Sequence, residues 1–81
     1  MPDLAYVIRQ NVKAERARRN WRQQDLAKRL GWTTDVVSDL ETGRRNVWAT
    51  DLPRLCAAFD ISLAQLLHGA ERSDMSALRL A

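Results

Sequence analysis

Eighty-one residues make one small domain, long enough for a single core and too short for a deep catalytic pocket. Apolar residues make up 46% and charged residues 28%, with only three glycines and two prolines, a balance that favours helices over a turn-rich β fold. The net charge of +3 admits a polyanionic partner without requiring one, and the single cysteine, Cys56, excludes an internal disulfide and a cysteine-based zinc cluster.

The first predicted helix covers residues 4–19, with Asp3 as N-cap after Pro2. Ile8, Val12 and Arg16 fall four apart on one stripe, extended by Leu4 and Ala5. Arg16 is the anomaly on that stripe, because it occupies a core-facing position; Arg9, Lys13, Arg18 and Arg19 lie opposite. Residues 9–29 hold eight of the thirteen Lys and Arg and only two acids, so the basic charge is concentrated rather than spread.

Asn20 breaks the first helix, and Trp21 resumes apolar contact. Residues 23–30, QQDLAKRL, form a second helix with Leu26, Ala27 and Leu30 inward, ended by Gly31. Trp32 plugs the turn. Thr33 caps a third helix, 34–41, whose buried side is Val36, Val37 and Leu40, with Glu41 on the flank. Thr34, Asp35, Ser38 and Asp39 lie on its other side. Gly43 ends it, and Arg44, Arg45 and Asn46 make a basic loop. A fourth helix runs roughly from 50 to 59, capped at or near Thr50, with Pro53 in the first turn and Leu52, Leu55, Cys56 and Phe59 inward. After a break at Asp60 and Ile61, Ser62 and Gln65 form a capping box for a fifth helix, 63–68, with Gly69 as its stop. Residues 70–81 are weakly patterned: a frayed tail, a short helix or a partner-dependent segment.

The pattern yields an all-α, compact five-helix bundle: a main domain over residues 1–69 and a tail over 70–81. Helix 23–30, a turn at Gly31 and Trp32, and helix 34–41 make a helix-turn-helix, in which one helix crosses a DNA backbone and the other enters the major groove. The lone His68 has no ligand or triad partner at a useful spacing, and no nucleophile–base pair or carboxylate dyad is visible, so neither an enzyme nor a metal or cofactor site is expected. The N-terminus lacks a signal-peptide pattern, and no apolar run exceeds five residues, against the ~18 of a membrane helix, so a soluble, cytoplasmic protein is expected.

Residues 12–67 resemble the phage-repressor and Cro type of helix-turn-helix, the XRE family, with a lambda-repressor-like bundle. The resemblance is carried by Arg16, Gln23, Leu26, Ala27, Gly31, Val37, Ser38, Glu41 and Gly43, followed by basic residues and by LPRLCAAFDISLAQLL. It implies a buried ion pair between Arg16 and Glu41. It implies phosphate contacts from Arg22, Gln23, Arg44, Arg45 and Asn46, and base edges facing Thr34, Asp35, Ser38 and Asp39. It departs from the family at Arg22, where Ser or Thr is customary, at Val47, where proline is common, and at Trp21 and Trp32, which replace smaller aliphatics and read as core. Trp48 either packs or touches sugar. Asp35 and Asp39 either accept from cytosine N4 or only repel phosphate.

The function implied is a sequence-specific regulator of transcription bound to double-stranded DNA as a two-fold homodimer. Leu66, Leu67, Met75, Leu78 and Leu80 are the expected dimer surface. The acidic outer face of residues 34–39 keeps a second reading open: a protein-interaction module on the same fold, such as an antitoxin or an accessory domain.

Overall fold

A computed structural model describes residues 3–70, and within them the chain forms five helices and no strand. They are α1 (Leu4–Arg18), α2 (Gln23–Leu30), α3 (Thr34–Thr42), α4 (Asp51–Phe59) and α5 (Leu63–Leu66). Local capping chemistry sets most of their ends. The Asp3 carboxylate accepts from the Tyr6 N–H at 2.8 Å, and Thr33 Oγ1 accepts from the Val36 N–H. Ser62 and Gln65 exchange the reciprocal bonds of a capping box at the start of α5. Asn20 and Asp60 both hold left-handed backbone, φ 57° and 55°, which stops α1 and α4.

The turn between α2 and α3 depends on Gly31, at φ 71°. Its N–H donates to the Lys28 carbonyl and the Trp32 N–H to the Ala27 carbonyl, so the last carbonyls of α2 are satisfied within the turn. Trp32 then folds back against the core. Gly43, at φ 90°, ends α3 in the same way. A side chain at position 43 would also meet the Arg9 guanidinium at 3.6 Å.

The core is one cluster of Ile8, Val12, Leu26, Ala27, Val37, Leu40, Leu55, Phe59, Leu66 and their neighbours. Trp21 lies parallel to Phe59, ring centres 5.6 Å apart, joining the α1–α2 connection to the end of α4. The side chain of Asn11 closes the other side. Its Nδ2 donates to the carbonyls of Leu66 (2.6 Å) and His68 (2.9 Å), tying the end of α5 to the middle of α1.

Four details differ from the sequence reading. First, α1 stops at Arg18, and α3 runs one residue further, to Thr42. Second, α5 is a single turn of helix followed by turn structure. Third, Thr50 makes no side-chain cap. The chain enters α4 through a tight turn in which the Asp51 N–H donates to the Trp48 carbonyl, and Asp51 takes the capping role by accepting the Trp48 N–H at 3.0 Å. Fourth, Leu66 and Leu67 are 0% and 2% exposed, because they plug the gap between α1 and α4, and cannot form a dimer surface. Met75, Leu78 and Leu80, with nearly all of the 70–81 tail, lie outside the described residues.

Candidate nucleic-acid interface

Three elements carry the residues singled out above: the N-terminus of α2, the outer face of α3 and the loop after Gly43. Arg22 is the extended residue before α2, and its backbone N–H donates to the Asp25 carboxylate at 2.8 Å. An arginine side chain cannot accept the capping bond, so Asp25 supplies the only side-chain half of the cap. The backbone N–H groups of Gln23 and Gln24 find no acceptor among the described residues. They point outward from the positive end of the helix dipole.

Behind them sits a buried charge cluster. Arg16 donates through Nε to Glu41 Oε2 (2.8 Å), through Nη2 to Glu41 Oε1 (3.0 Å) and through Nη1 to the Trp21 carbonyl (2.9 Å). Glu41 is 4% exposed. Gln23 Nε2 donates to the same Glu41 Oε1 at 3.1 Å. Gln23 is therefore half spent: one amide hydrogen is held by Glu41, and the other remains for an outside acceptor. The ion pair fixes the angle between α1 and α3 and also the rotamer of Gln23.

On α3, Thr34 and Asp35 are exposed, while Ser38 and Asp39 are half-buried. Neither aspartate forms an ion pair among the described residues. No nearby arginine neutralises them, so the outer face of the helix is a polar, hydrogen-bond-accepting surface.

The loop separates residues that the sequence groups together. Arg44 and Asn46 are exposed, and Arg44 has no ion-pair partner among the described residues. Arg45 has turned inward. Its Nη1 and Nη2 donate to both oxygens of Asp51, at 3.1 and 3.3 Å, and its guanidinium lies 4.4 Å from the Trp32 ring and 5.4 Å from that of Trp48. Asp51 is 4% exposed. This clamp commits two of the guanidinium donors that the sequence reading assigned to phosphate, neutralises the charge, and holds the loop against the start of α4. Trp48 packs one face beside Arg45 and leaves 57% of its surface open. Beside it is an apolar hollow of about 200 Å³, floored by Leu4, Ile8, Val47 and Leu52.

Sequence reasoning also missed Glu15, which is buried at the end of α1 and bound by Arg18 and Arg19. The Arg19 hydrogen bond holds its carboxyl below the ordinary carboxylate range; Arg18 adds to the effect and burial opposes it. Partial burial pushes the Cys56 thiol up, away from its thiolate form. The i, i+3 and i, i+4 spacing of Glu15 to Arg18 and Arg19 was visible; its burial was not. No metal-binding group of carboxylates, His and Cys occurs among the described residues, and no helix among them is long and apolar enough to cross a membrane.

Residues 9–69 match the model of a family described as a helix-turn-helix domain. A hypothetical transcription factor from Neisseria meningitidis serogroup B is 31% identical over 65 residues, which cover 80% of this chain and 61% of that protein. The chain thus spans about 61% of the length of that relative. Among solved structures, the hypothetical transcription factor NHTF from Neisseria superposes with a TM-score of 0.75 at 28% identity, covering 94% of this chain and 85% of the other. The clp gene regulator ClgR from C. glutamicum does so with a TM-score of 0.75 at 27% identity, covering 83% and 87%.

Proposed function

Since the chain belongs to the helix-turn-helix domain family, within the phage-repressor or XRE-like group, we propose that it is a regulator of transcription that binds double-stranded DNA as a two-fold dimer. In this reading α3 lies in the major groove, and α2 crosses the backbone. The free N–H groups of Gln23 and Gln24, the remaining amide hydrogen of Gln23, and the side chains of Arg22, Arg44 and Asn46 hold phosphates. Thr34, Asp35, Ser38 and Asp39 face base edges. The aspartates accept from cytosine N4 or discourage sequences that offer no donor. Such a role places the protein in the cytoplasm, with the DNA.

One observation carries this reading. The exposed polar face of α3 is flanked by unpartnered donors on both sides, at the start of α2 and at Arg44. The test is titration against mixed-sequence duplex DNA at several salt concentrations. Association should weaken linearly on a log–log plot, with a slope of about 0.9 for each phosphate neutralised. Binding that is absent, or flat with salt, would sink the proposal. It would favour the protein-interaction module, for which the uncompensated Asp35 and Asp39 are the supporting feature.

A further inference from the structure

Between the C-terminal end of α2 and one face of α4 lies a second cationic feature. It is an open cleft of about 400 Å³ lined by Arg29, Leu30, Arg54, Ala57 and Ala58. Arg29 and Leu30 are the last two residues of α2, so they stand about 9–12 Å along its axis from Arg22 and Gln23. Ala57 and Ala58 lie in the C-terminal half of α4, roughly two turns from Asp51 and the loop. Arg29 and Leu30 are thus separated along α2 from the unpartnered N–H groups, while Arg54 stands within one turn of Asp51.

Its two arginines are available. Neither Arg29 nor Arg54 forms an ion pair or a side-chain hydrogen bond among the described residues, and both are exposed. Arg29 is also held in place: its guanidinium lies 4.0 Å from the centre of the Trp21 ring, and Trp21 is in turn stacked on Phe59. Stacking covers the flat face of a guanidinium and leaves its in-plane donors directed outward, the arrangement that suits bidentate recognition of a carboxylate. The carbonyls at the end of α2 do not need these donors, since the Gly31 and Trp32 N–H groups already satisfy the Lys28 and Ala27 carbonyls. The floor is different in kind. Arg54, Ala57 and Ala58 share one face of α4, and the alanines with Leu30 leave a shallow apolar bed between two cationic rims.

We propose that this cleft docks an acidic, apolar-containing peptide segment of a partner protein. Asp or Glu carboxylates pair with Arg29 and Arg54, and an aliphatic side chain lies on Leu30, Ala57 and Ala58. Charge complementarity selects the sign of the partner. The apolar floor, and a volume well beyond that of one carboxylate, select a peptide over a simple anion. The proposal stands independently of DNA binding.

The experiment is a ¹H–¹⁵N titration of the whole chain with a synthetic peptide made of repeated Ser-Glu-Leu-Asp, and with a control in which each Leu is Ser. Shifts should centre on Arg29, Leu30, Arg54, Ala57 and Ala58, and the Leu peptide should bind about tenfold tighter than the control. Arg54→Glu should abolish the shifts. Arg29→Lys, which keeps the charge and loses the fork, should weaken binding several-fold with the fold intact. Duplex DNA affinity should fall less in both variants than in Arg44→Ala. Three outcomes would overturn the proposal. Shifts centred on Thr34 and Arg44 would make the peptide a mere DNA substitute. Equal binding of the two peptides would remove the role of the floor. Loss of DNA affinity in Arg54→Glu and Arg29→Lys as large as in Arg44→Ala would make the cleft a phosphate site.

Discussion

The chain has two arginine-rich stretches, the end of α1 and the loop after Gly43, and they use the same side chain differently. In α1, Arg16, Arg18 and Arg19 are all bound to carboxylates, two of them to Glu15 and one to Glu41. Arg19 also reaches the Phe59 carbonyl at 2.6 Å, so it joins α1 to α4. Arg16 and Arg19 are internal fasteners, whereas Arg18 pairs with Glu15 from an exposed position. In the loop, Arg45 is a fastener of the same kind, on Asp51, whereas its neighbour Arg44 is unpaired. The difference teaches that net positive charge overstates binding capacity. What a polyanion can use is the subset of cations that the protein has not already neutralised.

The comparison is broken most severely at Arg16. Arg16→Ala leaves Glu41 almost fully buried with only the Gln23 amide, and should cost about 3–5 kcal/mol in urea unfolding. Glu41→Ala should cost less, because Arg16 keeps 23% of its side chain in reach of water. A result in which both variants cost under ~1 kcal/mol would show that the pair is a surface contact. Next comes Asp51→Ala, which removes both oxygens from Arg45 and the acceptor of the Trp48 N–H. We expect a loss of about 1.5–3 kcal/mol and faster amide exchange across residues 44–50.

The sharpest contrast is between Arg44→Ala and Arg18→Ala. On the DNA-binding proposal, the first should lower affinity roughly tenfold and reduce the salt slope by about 1 per protomer. The second should change both less, since Arg18 already shares its charge with Glu15. Equal effects would erase the distinction between bound and free arginines. The smallest effect is at Glu15. Its native carboxyl titrates below its unfolded value, so its contribution is complete above the ordinary carboxylate range and is lost as pH falls through the lowered native value. Glu15→Gln should flatten the acid limb of the stability profile by under about 1 kcal/mol, with stability at low pH converging on that of the parent chain.

Much of the fold was legible because the signals that start and stop these helices are local. Asp3, Thr33, the Ser62–Gln65 box, Gly31 and Gly43 each act within four residues of their own position. The all-α bundle and the helix-turn-helix follow from those punctuation marks and the apolar spacing between them. What stayed hidden depends on partners brought together by folding or by a tight turn. Nothing in the sequence distinguishes Arg45 from Arg44 until the chain turns and places Asp51 beside one of them. Likewise Thr50 is an acceptable cap by residue type, and lost that role because the turn from Trp48 leaves it in helical backbone, ψ −17°. Leu66 and Leu67 read equally well as surface or core, since a one-turn helix is too short for periodicity to decide.

The amide of Asn11 also gives the domain a schedule. Its two acceptors lie 55 and 57 residues further along, whereas the α2–α3 corner closes within a short stretch of chain. A growing polypeptide can pair its early helices while the last is still unmade, and the entropic toll of joining the two distant parts rises only logarithmically with their separation. Asn11 is therefore the latch that shuts last. Until residue 68 is free to fold, Asn11 lacks both its acceptors, and the nascent domain stays open along one seam.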